Sequence, residues 1–200
     1  MIKRDFLPGS EWLYFKIYSG LKSADKILVE LINPFIVKMK NERLVQDFFF
    51  IRYNDPKFHL RLRLKVINKD SFNGIMKEFI FHFENALQDG LISRVNIDVY
   101  NREIERYGEN SIEIIEKLFC IDSAMQISLI QAIRNNGDND LERWLSSLVM
   151  IDDFLALIGY DLVSKQTRID YISNEFKREF GITSSKLEKP LNDKFRTHRR

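Results

Sequence analysis

The apolar residues of this 200-residue chain change period near its middle, and that change restricts the available folds more than any other feature. Up to about residue 102, short β-branched and aromatic runs alternate with stretches whose apolar residues recur every three or four positions. Beyond that point the pattern is helical to the end. Trp12 to Tyr18, closed by Ser19-Gly20, reads as a strand. Residues 22–40 place Ala24, Ile27, Leu28, Leu31, Ile32 and Phe35 on one helical stripe, which Pro34 should bend or end. Gln46–Tyr53 and Phe58–Ile67 are two further strands, joined by the turn chemistry of Asn54-Asp55-Pro56-Lys57. Phe72, Ile75, Met76, Phe79, Ile80, Phe83 and Leu87 form a second helical stripe that stops at Asp89-Gly90, and Leu91–Tyr100 is a fourth strand. The order β-α-β-β-α-β predicts an α+β, ferredoxin-like antiparallel sheet with two helices on one face.

A helical segment follows, with helices expected over about 110–135, 139–163 and 165–180 and from near 185. Asn110 and Glu113 are spaced as a capping-box pair. Asn135-Asn136-Gly137 is a break, and Gly181 stands where a glycine beyond a helix end belongs. We expect a sheet half over 1–108 and a helical half over 109–200 within one continuous domain. Ile169, Ile172, Phe176 and Phe180 make an apolar stripe that needs a partner surface, which suggests a homodimer or a docked protein.

Composition narrows the function. The formal net charge of +2 argues against a dedicated nucleic-acid binder. A single cysteine, Cys120, and three histidines exclude a disulfide framework and argue against a Cys- or His-rich metal centre. The longest apolar run, Phe154–Ile158, is five residues, so no membrane span is expected; with no signal-peptide pattern at its start, the chain reads as cytoplasmic. No Walker loop, dinucleotide fingerprint or nucleophile elbow occurs, and no cofactor is implied.

The hairpin carries the strongest chemical signal. With Tyr53 opposite Phe58, the core face holds Phe49, Ile51, Tyr53, Phe58, Leu60, Leu62 and Leu64. The other face holds Phe48, Phe50, Arg52, His59, Arg61, Arg63 and Lys65, with same-strand side chains about 7 Å apart. Strand four adds Arg94, Asn96, Asp98, Tyr100 and Arg102 to that side, while Val95, Ile97 and Val99 face inward. Arginines in such a row suit carboxylates and phosphates, and the same cations interleaved with aromatics suit a nucleic-acid strand. The alternative is a solvated sheet face whose long side chains cover the phenylalanines. Past the strand, Arg102, Glu103, Glu105 and Arg106 either pair locally or extend the basic face. His59, alone of the histidines, stands beside arginines on a strand, where it serves either structure or proton transfer. His82 and His198 read as surface residues, and Cys120 as a small core residue.

Taken in order, Trp12–Tyr18, Phe49–Pro56, His59-Leu60-Arg61-Leu62-Arg63, Asn101–Gly108 and Phe119–Ser123 resemble one family. It is the thiopeptide-type bacteriocin biosynthesis domain, also the C-terminal elimination domain of class I lantibiotic dehydratases. The resemblance runs from about Trp12 to the end. It implies elimination of glutamate from glutamylated Ser or Thr of a precursor peptide, leaving dehydroalanine or dehydrobutyrine, after a separate tRNA-dependent protein has attached the glutamate. Arg61 and Arg63 would clamp the glutamyl carboxylate, Arg102 or Arg106 would complete the clamp, and Arg52 and Tyr100 would contact substrate. Other relatives form the pyridine of thiopeptides by cycloaddition, and a non-catalytic peptide-holding module is a third reading. Phe195–Arg200 does not match the His-Met-x-x-Asn-Arg-like segment that carries the family's histidine, and Glu109 follows Tyr107-Gly108 where a second glycine is commoner. The proton-transferring group is then expected from His59 or a partner chain, or the chain is a shortened module.

Overall fold

A computed structural model describes residues 2–137, 140–179 and 184–198. The compact units divide at 139/140, into Met1–Asn139 and Asp140–Arg200, whereas the sequence reading set the change at 108/109. The long helix after the sheet belongs with the first unit.

In that unit four strands form one sheet: β2 (Trp12–Ser19), β3 (Val45–Asn54), β4 (Phe58–Val66) and β5 (Ile92–Asp98). Their order is β3-β4-β2-β5, and every neighbouring pair is antiparallel. A short ladder joins β1 (Asp5–Phe6) to β6 (Tyr100–Asn101); the sequence reading had neither as a separate element. Between β2 and β3 run α1 (Ala24–Ile27), a π-helical turn over Leu28–Ile32 and α2 (Asn33–Asn41). The π turn explains how Pro34 is tolerated without ending the helix. The Asn33 N–H reaches back five residues to the Leu28 carbonyl, so the frame shifts where proline can no longer donate. The second crossover is α3 (Ser71–Gln88), ended by Gly90 at φ 72°, a left-handed geometry that favours glycine.

Both crossovers bury their stripes on one sheet face. Leu13, Phe15 and Ile17 of β2 and Leu60, Leu62 and Leu64 of β4 meet Ile27, Leu28, Phe35, Ile75, Phe79 and Phe83 in one core. Phe79 stacks on Phe15 and Phe83 with ring centroids 4.3 and 4.1 Å apart. After α4 (Ile104–Tyr107), helix α5 (Ile112–Asn135) packs along β3 and adds Ile127 and Ile130 to that core. The hydroxyl of Ser123 accepts the Phe50 backbone N–H at 3.0 Å. Helix α5 starts after Ser111 with no side-chain cap bond, so the Asn110–Glu113 box does not form.

The hairpin register differs from the sequence reading by one residue. Asn54 pairs with Phe58 and Tyr53 with His59, leaving a three-residue loop, Asp55–Lys57. A one-residue slip exchanges the two faces of a strand. Phe48, Phe50 and Arg52 therefore lie on the helix-covered side with Leu60, Leu62 and Leu64. Phe49, Ile51 and Tyr53 lie with His59, Arg61 and Arg63.

The second unit contains α6 (Asp140–Leu157), α7 (Leu162–Glu179) and α8 (Ser184–His198). The helix expected over 139–163 breaks at Gly159, whose φ is 89°. Lys165 of α7 bonds Asp152 of α6 at 2.7 Å. Ile169, Ile172 and Phe176 each keep about half of their surface exposed. Gly181, Phe180 and the side chain of His198 lie outside the described residues. Among the described residues no helix is long and apolar enough to cross a membrane, and no cluster of three or more His, Cys, Asp or Glu could hold a metal.

Candidate functional site

On the face away from the helices, the alternation of β2 and β4 brings cations and aromatics together. Cross-strand pairing sets Tyr14 opposite Arg63, Lys16 opposite Arg61 and Tyr18 opposite His59. The other partner strand sets Phe49, Ile51 and Tyr53 opposite the same three β4 residues. Trp12, Tyr14, Phe49, Tyr100 and Phe6 form a second apolar cluster on this side, to which Phe119 and Cys120 of α5 add.

Arg63 lies within that cluster with 6% of its surface exposed. Its Cζ is 4.5 Å from the Tyr14 ring centroid, 4.9 Å from Tyr100 and 5.1 Å from Phe49. Three π faces stabilise the cation, and among the described residues no carboxylate forms an ion pair with it. Its Nε and Nη1 are buried without a hydrogen-bond partner. Burial pulls its pKa below the ordinary arginine value, and Tyr14, Tyr100 and the Glu103 carboxylate oppose this only in part. Burial likewise raises the pKa of Tyr14, an effect that Arg63 and Arg61 partly oppose. A cleft opens here, lined by Arg63, Phe49, Tyr100, Glu103, Tyr107 and Phe119 among others, with a free volume of about 20 Å³. That space holds about one water.

Arg61, two residues from Arg63 on the same face of β4 but outside the cleft lining, has its Cζ 3.4 Å from the Tyr53 ring centroid and its Nε–H donated to His59 Nε2 at 3.2 Å. His59 is 1% exposed, and its Nδ1 lies 2.8 Å from the Lys57 carbonyl oxygen. Both ring nitrogens are engaged, so the ring has no free lone pair with which to take a proton from a bound molecule.

The remaining sequence candidates are placed differently. Arg52 points to the helix side, where it pairs with Asp25; the register slip removes it from the basic face. Arg102 is 5% exposed and locked to Glu116 through Nε and Nη2, both at 2.7 Å, with Nη1 donated to the Lys3 carbonyl. It is a structural partner of α5 and has no guanidinium edge to spare for a ligand carboxylate. Tyr100 donates to the same Glu116 at 2.8 Å while its ring lines the cleft. Burial, reinforced by Glu116, raises its pKa strongly. Arg106 is exposed and lies 3.5 Å from Glu103, the one carboxylate of the cleft lining. His82 is largely covered, against Phe35 and the Glu78 carbonyl, where a surface position was expected. Cys120 is partly buried, and burial pushes its thiol up to about 12, so it is no nucleophile at neutral pH.

Several residues of the site were missed in the sequence. Tyr14, Lys16 and Tyr18 alternate along β2 with a period of two, the same signal that identified β4. Glu116 and Ser123 occupy the buried stripe of α5 formed by Ile112, Ile127 and Ile130, and two polar residues at core spacing are a readable sign of buried partners.

Lys16 bonds Asp98 at the far side of the row, which raises the lysine pKa and holds the Asp98 carboxyl below its ordinary value. A carboxyl depressed in the folded state contributes stability above its unfolded value of about 4, and that contribution is lost as pH falls through the folded value. Asp98→Asn should therefore flatten the loss of stability below about pH 4. Urea midpoints measured across that range test this, and superimposable wild-type and variant profiles would refute it.

Comparison with known proteins adds a family. The description "Lantibiotic biosynthesis dehydratase C-term" matches residues 12–200. The chain is 31% identical over 159 residues to the nisin biosynthesis protein NisB of Lactococcus lactis subsp. lactis, covering 79% of this chain and 15% of that protein. It is 28% identical over 177 residues to the subtilin biosynthesis protein SpaB of Bacillus subtilis, covering 87% and 17%. It thus spans less than a fifth of the length of these relatives. Among solved structures, the tRNA-dependent lantibiotic dehydratase MibB from Microbispora sp. 107891 superposes with a TM-score of 0.59 at 29% identity, covering 64% of this chain and 12% of that one. TsrL superposes with a TM-score of 0.50 at 14% identity, covering 84% and 56%, a likeness that bears on the fold alone.

Proposed function

This chain belongs to the C-terminal family of lantibiotic biosynthesis dehydratases, and from that premise we propose that it eliminates glutamate from glutamylated Ser or Thr of a precursor peptide. The product is a dehydroalanine or dehydrobutyrine residue. A base takes the α-proton, the C–H electron pair becomes the Cα=Cβ bond, and the Cβ–O bond breaks so that glutamate leaves as a carboxylate. A glutamyl ester carries one free carboxylate from the start, and a second develops in the transition state. Two arginines suit that count, and the one that meets the developing charge contributes to rate. The observation that carries this reading is Arg63, a buried cation with Nε and Nη1 unpartnered beside a cleft. Arg61 is its neighbour on β4. In this reading Arg106 assists through its position 3.5 Å from Glu103, and Glu103 accepts the α-proton. The cleft must widen to admit a glutamyl group, since its present space holds little more than a water.

Glutamyl-tRNA is handled by a separate glutamylating protein, and this chain meets peptide alone, without a cofactor. We also read the strand order β3-β4-β2-β5, with its two helical crossovers, as ferredoxin-like. The test is incubation of the purified chain with a chemically glutamylated Ser peptide, followed by mass spectrometry. Loss of the glutamate unit with formation of dehydroalanine is expected. Binding without elimination would overturn the lyase reading in favour of a peptide-holding module.

A further inference from the structure

We infer that His59 is a positioning residue for Arg61, holding its guanidinium by the Nε–H so that only the Nη1–Nη2 end is left to grip a carboxylate. This deepens the proposed function and rests on Arg61 as part of the glutamate clamp. The geometry starts from the Lys57 carbonyl, 2.8 Å from His59 Nδ1. A carbonyl oxygen only accepts, so Nδ1 carries the proton. The lone pair of the neutral ring then sits on Nε2, where the Arg61 Nε–H reaches it at 3.2 Å. An imidazolium would turn Nε2 into a donor facing a guanidinium that has only donors.

The ring is fixed on both sides. Tyr18 stacks on it with centroids 4.7 Å apart, and Tyr53 meets it edge-on at 5.6 Å. Tyr53 also carries Arg61, whose Cζ lies 3.4 Å from its centroid. The guanidinium is thereby set in plane by Tyr53 and in rotation by His59. A guanidinium can bind a carboxylate side-on, through Nε and Nη2, or end-on, through Nη1 and Nη2. Arg102 shows the side-on mode with Glu116. His59 closes that edge of Arg61, and among the described residues neither Nη group of Arg61 has a hydrogen-bond partner. Arg63 has no such neighbour on its Nε. Two arginines two residues apart on one strand thus differ in which edge is open.

The first measurement is the His59 tautomer, by long-range proton–nitrogen correlation NMR on the full chain. The signal is assigned by removing His82 and His198 in turn, so no foldable His59 variant is needed. The Nδ1–H tautomer is expected; an Nε2–H tautomer or an imidazolium would overturn the inference. His59→Phe keeps a ring against Tyr18 but has no acceptor, and should speed hydrogen exchange at Arg61 Nε about tenfold and weaken glutamylated-peptide binding by a similar factor. His59→Gln, which restores an acceptor and a donor, should recover both. Unchanged Arg61 exchange in His59→Phe would also overturn it. If the tautomer and exchange pattern hold while the wild type binds no glutamylated peptide, it is the glutamate reading that fails, and the hold of His59 on Arg61 survives.

Discussion

Replacing Arg61 and Arg63 together by alanine should leave glutamylated peptide accumulating where the wild-type chain, supplied with a glutamylating partner, yields dehydrated peptide. Loss of a single preorganised donor to a developing oxyanion costs on the order of 10²–10³ in rate, so either arginine alone should slow elimination by about that much. Arg63→Lys should fall short of rescue. A compact ammonium keeps the charge but cannot present parallel donors or lie flat among Tyr14, Phe49 and Tyr100. Arg63→Met separates catalysis from folding. It retains a long apolar stem and removes a buried charge whose Nε and Nη1 have no hydrogen-bond partner, so its urea midpoint should hold or rise while elimination is lost. Mass spectrometry of the peptide product is the readout, and fully dehydrated peptide from the double variant would sink the assignment.

Glu116→Ala should have the largest effect on stability. It leaves the buried Arg102 guanidinium with only the exposed Glu113 carboxylate, 3.6 Å from Nη2, and the Tyr100 hydroxyl without its acceptor. Breaking one side of a buried ion pair costs about 3–5 kcal/mol, a large fraction of what a domain of this size has in reserve. Urea denaturation checks this, and a loss below about 1 kcal/mol would contradict it. Arg102→Met combined with Glu116→Leu removes both charges and should be far milder than Glu116→Ala. Because Tyr100 lines the cleft, Glu116→Ala should also slow elimination, although Glu116 touches no substrate in this reading.

The contrast between these arginines marks the boundary of what the sequence could reveal. The four long strands were legible as β-branched and aromatic runs bounded by turn residues, and both crossover helices by apolar stripes recurring every three or four residues. Strands β1 and β6 were not, since two residues carry no period. The register of β3 was lost for a different reason. Phe48 and Phe50 point one way, Phe49, Ile51 and Tyr53 the other, so both faces are apolar and alternation cannot choose between them. The choice fell to the loop, where Asn54 joins the ladder and leaves three residues for the turn. Arg61 and Arg63 were readable as a row. That Arg63 has Nε and Nη1 unpartnered while Arg102 is bound depends on Glu116, fourteen residues beyond Arg102 and on another element, a pairing no local pattern encodes.

The placement of α5 also governs how copies of this sheet could join. In the four-stranded sheet, one outer strand lies along a helix and gives a backbone amide to Ser123, whereas β5 at the opposite margin borders no fifth strand among the described residues. A sheet with one usable margin can be extended once, by an identical margin running the other way, and the joined sheet then has none to offer. Strand addition at the β5 margin by a second copy of this unit would be antiparallel and two-fold, using up that margin in both copies.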